Sequence, residues 1–253
     1  MCHKKMKLHD HIVLMKAMVG SHNYNLNTET SDKDYKYFVL PTFDELYRGT
    51  FFSRAKESDT EDYTIHDIRK LPHLFWKANV NFLEVLYGNP IFSNSSKELM
   101  VFLMKNRKDL CKMNLPYLYD ACIGMAINYS HRFLKETPSS NESIEKYGYS
   151  IKCMYQAVRI LNFLCRMKEN DFDFYSSIWY EPGEERDMLM TIKQGKSSFD
   201  AANTIYYQYY FQRAKQLKED FKSQEPNKKL LNDLNDAIKN FLWKQIKEGS
   251  IIP

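Results

Sequence analysis

The fold and function of this chain are constrained most strongly by one stretch of sequence, which combines a Gly-Ser pair, an acidic pair and an apolar run. Gly20-Ser21 is followed, after a short spacer, by Asp32-Lys33-Asp34, and the apolar run at 35–40 begins directly afterwards. Such a run indicates a β-strand, on which residues at i and i+2 point to the same side. Asp32 and Asp34 therefore share one face and can bind the same pair of divalent ions. The pattern predicts a metal-dependent phosphoryl-transfer site.

The Gly20-Ser21 step follows the apolar residues 17–19 and suits the phosphate side of such a site. Glycine lets backbone N–H groups approach a phosphate that a larger residue would keep away, and the serine hydroxyl adds a donor. A plain Gly-Ser loop and a solvated Asp turn are the alternative, since Asp often accepts from nearby backbone donors in turns. The two motifs together favour the phosphate site, with Gly20 and Ser21 as nucleotide-binding residues.

Three segments of the sequence match one known pattern. They are Gly20-Ser21-His22-Asn23-Tyr24-Asn25-Leu26 with Ser31-Asp32-Lys33-Asp34, then Arg69-Lys70-Leu71 with the stretch from Lys77 to Leu86, and finally Gly148-Tyr149 through Lys152 to Arg159. Together they resemble the nucleotidyltransferases of the DNA polymerase β superfamily, and within it the family linked to RNA repair. Three positions depart from that family's usual residues, namely Asn25 for Gly, Val80 for Pro and Gln156 for His. Asn tolerates the left-handed backbone conformation, so the change at position 25 is mild.

The resemblance implies transfer of a nucleoside monophosphate from an NTP to an acceptor hydroxyl, with two Mg²⁺ or Mn²⁺ ions as cofactors. Asp32 and Asp34 would bind both ions, and a third carboxylate would come from a neighbouring strand. We choose Asp67 as that ligand and as the proton acceptor because it lies in an alternating run, whereas Glu61 and Asp62 belong to the polar segment before it. Asp67 is also suited to cap a helix that begins near position 69. In that case Asp62 becomes the preferred ligand.

Basic residues are needed to hold the triphosphate. Lys152, Gln156 and Arg159 lie at i, i+4 and i+7 and therefore share one face of a helix. The resemblance implies that Lys152 and Arg159 bind the triphosphate or the leaving pyrophosphate by charge-assisted hydrogen bonds. Arg69 and Lys77 receive the same nucleotide-binding role. A solvated charged face is the alternative for all four side chains.

The order of elements predicts an α+β fold in two parts. Residues 1–93 mix short β-like runs with turns, which predicts a mixed β-sheet with helices, and the resemblance makes this part the nucleotidyltransferase core. The helix stop at Gly88-Asn89-Pro90 precedes residues 94–253, which are nearly all amphipathic and predict an all-helical domain that completes the nucleotide and acceptor cleft. The formal charge of +4 lies wholly in this second part. We expect a neutral catalytic part and a mildly basic helical part.

Composition and missing motifs narrow the class of protein further. The five Cys form no C-x-x-C pair, so we expect neither a disulfide framework nor a structural zinc site. No apolar signal segment follows the first residues and no run reaches membrane-spanning length, so we expect a cytoplasmic protein without a membrane anchor. The sequence has no Walker loop and no G-x-S-x-G elbow, which disfavours P-loop and serine-hydrolase chemistry.

The acceptor and one rival class stay open at this point. An RNA 3′ end, a protein hydroxyl and a small-molecule hydroxyl all fit the same core, and the resemblance favours RNA. The rival is a non-catalytic nucleotide- or RNA-binding protein of the same fold, which we would expect to lack one of the metal carboxylates. A structural protein built on the helical part would need no acidic cluster at all.

Overall fold

The computed structural model describes residues 6–56, 61–138 and 140–251. Within these residues six strands form one mixed sheet in the order β1-β2-β3-β5-β4, and β6 pairs with β2. Only the β3–β5 pair is parallel, and the other strand pairs are antiparallel. The strands are β1 (Lys7–Leu8), β2 (His11–Val19), β3 (Lys33–Val39), β4 (Ser53–Lys56), β5 (Glu61–Asp67) and β6 (Ile91–Phe92).

Helices occupy most of the rest of the described chain. The helices that accompany the sheet are α1 (Phe43–Arg48), α2 (Leu71–Trp76), α3 (Val80–Leu83) and α4 (Lys97–Cys111). The later helices are α5 (Leu115–Ser130), α6 (Asn141–Tyr147), α7 (Ile151–Glu169), α8 (Phe174–Ile178), α9 (Glu184–Lys193), α10 (Phe199–Thr204), α11 (Gln212–Gln216), α12 (Lys218–Lys222) and α13 (Lys228–Lys247). A π-helical segment, Ile205–Phe211, joins α10 to α11. The predicted α+β class, with a mixed sheet first and helices after it, is confirmed.

The chain divides into two compact units, and the division differs from the predicted boundary after residue 93. The first unit holds residues 1–23, 27–113 and 227–253, and the second holds 24–26 and 114–226. Helices α4 and α13 therefore fold with the sheet. The reason is an apolar stripe on α13, which packs against α2 and α4 and buries Leu234, Ile238 and Phe241.

The first unit builds its core from alternating residues of the sheet. Val13, Tyr37, Val39 and Ile65 are buried and contact one another across β2, β3 and β5. In each of these strands the next residue along the chain points to the other face, which is the period of two expected of a strand. The face opposite this core is the one that carries Asp34.

The second unit is helical and is organised around α7. Helix α7 packs against α5, α8 and α9, and it is buried on nearly all sides from Ala157 to Cys165. Gly148 adopts a left-handed conformation with φ of 79° and ends α6 before α7 begins. No helix in the described part of the chain is both long enough and apolar enough to cross a membrane.

Candidate active site

The glycine turn at the end of β2 is the first part of the candidate site. Gly20 follows the last residue of β2, has a φ of 75° and opens the short 3₁₀ turn Gly20–Asn23. A Cβ atom built on Gly20 would lie 2.5 Å from Oδ2 of Asp34, which is closer than any real Cβ contact. Position 20 therefore favours glycine for its left-handed backbone, and a larger residue would also require the Asp34 carboxylate to turn away.

Two aspartates lie side by side on neighbouring strands next to this turn. Asp34, the second residue of β3, is directly opposite Asp62 on the parallel strand β5 and opposite Val19 on β2. Paired residues of adjacent strands point to the same face, so the Asp34 and Asp62 carboxylates project from one side of the sheet. Asp32 is exposed, immediately before β3, two residues from Asp34. We call Asp32, Asp34 and Asp62 the acidic edge.

Asp67 does not belong to the acidic edge, and the choice of Asp67 as third carboxylate is corrected. Asp67 pairs with Val39, at the opposite end of β3 and on the opposite face from Asp62. Its side chain is fully buried, caps the turn Ile68–Lys70 by accepting from the Arg69 N–H at 2.9 Å, and forms an ion pair with the Arg69 guanidinium. The helix-capping alternative is therefore the one observed, and it is the case in which the sequence analysis prefers Asp62.

The same geometry places Arg69 and Glu61 away from the acidic edge. Arg69 is bound to Asp67, donates to the Thr50 carbonyl and lies 4.6 Å from the centre of the Phe51 ring, so its guanidinium is not part of the acidic edge. Glu61 pairs with Lys33 and therefore points to the face opposite Asp34 and Asp62. Its exclusion from the site agrees with the sequence-based choice.

Glu84 is buried next to the glycine turn and is hydrogen-bonded to it. It is 1% exposed, and its Oε2 accepts from the Gly20 N–H at 2.9 Å. The Asn23 side chain donates to the Glu84 carbonyl at 3.1 Å and to Oε2 at 3.3 Å. Glu84 thus anchors both ends of the glycine turn. The Gly20 N–H that was predicted to bind phosphate is engaged by this carboxylate, which leaves Ser21 as the predicted phosphate contact.

The face of the sheet behind the acidic edge carries a lysine and a neutral histidine. Lys36 follows Asp34 on the same face of β3, and its Nζ lies 5.3 Å from the centre of the Phe82 ring. Burial lowers the pKa of Lys36, while the charges of Glu84 and Asp34 act in the opposite direction. Burial, with the nearby charges of Lys36 and Lys70, lowers the pKa of His66 to about 4. The imidazole is therefore uncharged at neutral pH.

The acidic edge has the ligand types of a magnesium site, but its side chains are not gathered into a ready-made metal cluster. Carboxylate oxygens are the ligands that Mg²⁺ prefers, and the edge supplies them from two adjacent strands. Within residues 6–56, 61–138 and 140–251, no three His, Cys, Asp or Glu side chains lie close enough together to form a ready-made metal cluster. Like charges repel, so carboxylates without a cation between them are expected to stay apart.

The other predicted nucleotide-binding residues are placed differently from one another. Lys77 is exposed at the end of α2, and Lys152 is exposed in the first turn of α7. Arg159 is only 4% exposed. Its guanidinium donates two hydrogen bonds to Gln156 Oε1, at 2.9 and 3.1 Å, and lies 4.4 Å from the centre of the Tyr24 ring. The expected polar stripe is thus divided into an exposed lysine and a buried arginine.

Positions that depart from the resembling family's pattern keep the backbone role of the usual residue. Asn25, where that family usually has Gly, has a φ of 61°, a left-handed conformation that Gly adopts most readily and that Asn tolerates. Val80, in place of Pro, is the first residue of α3, and Asn79 before it is the N-cap that accepts from the Asn81 N–H at 3.0 Å. Proline is common at that first helical position, so the substitution is compatible with the same structure.

Comparison with known proteins agrees with these local structures. The chain matches the model of the RNA repair pathway DNA polymerase beta family over residues 3–240. The match spans nearly the whole chain, including the glycine turn, the acidic edge and the Glu84 segment. No curated protein matches the chain at a significant level.

Proposed function

Because this chain belongs to the RNA repair pathway DNA polymerase beta family, we propose that it transfers a nucleoside monophosphate from an NTP to a hydroxyl group at an RNA end. The hydroxyl oxygen bonds to the α-phosphorus, and pyrophosphate leaves as the α–β phosphoanhydride bond breaks. Membership makes the chain a DNA polymerase β-like nucleotidyltransferase of RNA repair. The choice of RNA as acceptor and the use of two Mg²⁺ or Mn²⁺ ions are the parts that we add.

The observation that carries the proposal is the pairing of Asp34 with Asp62 beside the glycine turn. It supports a shared cation site because two carboxylates on one face of adjacent strands offer four oxygen atoms to the same region. Asp32 adds two more from the residue before β3. Metal ions held there would neutralise phosphate charge and lower the pKa of the acceptor hydroxyl.

Each side chain of the site receives a stated role. Asp34 and Asp32 hold the cations, and Asp62 both contributes a ligand and accepts the proton of the acceptor hydroxyl in place of Asp67. Ser21 donates a hydrogen bond from its hydroxyl to the triphosphate. Glu84 keeps the turn in position by accepting a hydrogen bond from the Gly20 N–H. The exposed cations Lys77 and Lys152 are the proposed phosphate-binding lysines.

The test is to follow the label from each α-³²P NTP. The protein is incubated with Mg²⁺ or Mn²⁺ and with total RNA or with protein, and the labelled product is identified. We expect label on RNA, its loss in Asp34→Asn and Asp62→Asn, and its retention in the control Asp44→Asn, which removes an exposed carboxylate of α1. Label on protein would replace RNA as the acceptor. Normal incorporation in both edge variants would refute the site.

A further inference from the structure

The basic excess of the chain lies in the unit that contains the sheet, in contrast to the expected distribution. The first unit has 22 Lys and Arg against 17 Asp and Glu, whereas the second has 14 against 15. The expectation of a neutral catalytic part and a basic helical part therefore does not describe these two units. It depended on a boundary that assigned α4 and α13 to the helical part.

Helices α4 and α13 account for all of this excess. They carry nine Lys and Arg against four Asp and Glu, a balance of +5, while the whole chain has +4. The two helices pack against each other, and Lys244 Nζ bonds to Glu98 Oε1 at 2.7 Å between them. All nine basic side chains are exposed, namely Lys97, Lys105, Arg107, Lys108, Lys228, Lys229, Lys239, Lys244 and Lys247.

An exposed tryptophan lies among these lysines. Trp243 is 58% exposed, on the side of α13 away from the buried Ile238 and Phe241. Lys239 and Lys247 lie at i−4 and i+4 from it, so one turn of helix separates the ring from an ammonium group on each side. Lys247 Nζ is 4.9 Å from the centre of the indole ring. The result is a lysine–tryptophan–lysine stripe in solvent.

We propose that this stripe, with the basic face of α4 beside it, binds single-stranded RNA. An unpaired base stacks on the Trp243 indole, and Lys239 and Lys247 contact the phosphates on either side. Aromatic rings that stack bases and cations that follow the backbone are the two elements of sequence-tolerant single-strand binding. The choice of RNA as the occupant rests on the proposed function, and the surface itself rests on the charges and the exposed ring.

Charge and polarity favour a nucleic acid over a protein helix or a membrane. Among the described residues of α13, only Trp243 and Ile246 are large, exposed hydrophobic side chains. A helix that lies in a membrane interface presents a continuous apolar face, and the centre of a protein interface is depleted of lysine. The exposed side of α13 has neither property.

The test measures binding of a fluorescein-labelled single-stranded RNA oligonucleotide by anisotropy, in EDTA and without NTP. We expect Trp243→Ala to weaken binding about five- to a hundredfold, the range found for a lost base–aromatic stack. Lys239→Ala with Lys247→Ala should reduce the slope of log affinity against log salt by about 1.4, because about 0.7 is lost per phosphate contact on a single strand. The same RNA as a duplex should bind with little dependence on Trp243.

Matched controls come from exposed residues elsewhere. Tyr47→Ala removes an aromatic ring that is 82% exposed on α1, and Lys146→Ala with Lys218→Ala removes two exposed lysines of the second unit. Equal effects of the test and control variants on RNA binding would overturn the proposal that RNA binds to this surface. Tighter, Trp243-dependent binding to phosphatidylserine vesicles than to RNA would overturn RNA as the occupant. Since the assay omits NTP and metal, failure of nucleotidyl transfer would leave its outcome unchanged and is measured separately.

Discussion

The two ends of the parallel β3–β5 pair carry the same residue type in opposite electrostatic settings. At one end, where β3 and β5 begin, Asp34 and Asp62 lie side by side on one face of the sheet, and Gly20 lies next to Asp34. At the other end Asp67 is fully buried, neutralised by Arg69 and hydrogen-bonded to the backbone of a helical turn. A carboxylate that is satisfied by protein groups stabilises the fold, whereas carboxylates placed next to each other create a demand for cations. The neighbours of an aspartate thus decide its role.

The largest expected effect is on catalysis at the acidic edge. Asp34→Asn removes one charged ligand, and we expect a loss of turnover of about a thousandfold, comparable to removal of a principal electrostatic group from an active site. The free energy of unfolding should stay constant or rise slightly, because repulsion from Asp62 is relieved. Single-turnover transfer and urea unfolding measure the two quantities. Wild-type turnover in Asp34→Asn would contradict the idea that the aspartates at the two ends of the β3–β5 pair have different roles.

At the opposite end the same substitution should act on stability. Asp67→Asn leaves the Arg69 guanidinium without its counter-charge, and we expect the free energy of unfolding to fall by about 3 kcal/mol. Turnover per folded molecule should change less than twofold. Asp44→Asn, which breaks an exposed pair with Arg48, is the control and should cost under about 1 kcal/mol. An unchanged stability together with lost metal-dependent turnover would return Asp67 to the active site.

A comparison of two glycines isolates the crowding at the acidic edge. Gly20 and Gly49 both have left-handed backbones, with φ of 75° and 66°, but a Cβ on Gly49 would meet no atom within 4 Å. Gly49→Ala should cost about 1 kcal/mol for the backbone alone, and Gly20→Ala about 2 kcal/mol more because of the contact with Asp34. Adding Asp34→Ala should abolish the difference between the two variants. A difference that persists would locate the crowding in another residue.

The smallest expected effect concerns His66, which lies next to Asp67 on β5. The folded protein keeps this imidazole neutral down to about pH 4, whereas an unfolded chain protonates it near 6.5. Stability should therefore fall as the pH decreases from about 6.5 to about 4, by about 2 kcal/mol after allowance for partial exposure. His66→Gln should flatten the unfolding free energy over this range. An equal pH dependence in both proteins would assign the effect to other groups.

The sequence predicted local features well and long-range register poorly. The turn at Gly20-Ser21, the strand after Asp32 and the alternation along β5 are local, and each is found in the structure. The choice between Asp62 and Asp67 required the pairing of β5 with β3, which alternation within one strand cannot supply. A shift of register by an odd number of residues exchanges the two faces.

Two other outcomes have the same physical origin. Glu84 and Gly20 are far apart in sequence, so their hydrogen bond follows only from the tertiary fold. For Arg159 a signal was present, because the residues around it from 157 to 165 are almost all apolar. A helix that is apolar on all sides is buried on all sides, and a cation within it has no solvated face.

The insertion of the second unit into the first has a consequence for biosynthesis. Apart from residues 24–26, the second unit is one continuous stretch, 114–226, so its contacts can form as that stretch leaves the ribosome. The first unit must wait for α13, whose apolar stripe covers α2 and α4 from the far end of the chain. Until then those helices expose apolar surface to which a chaperone can bind.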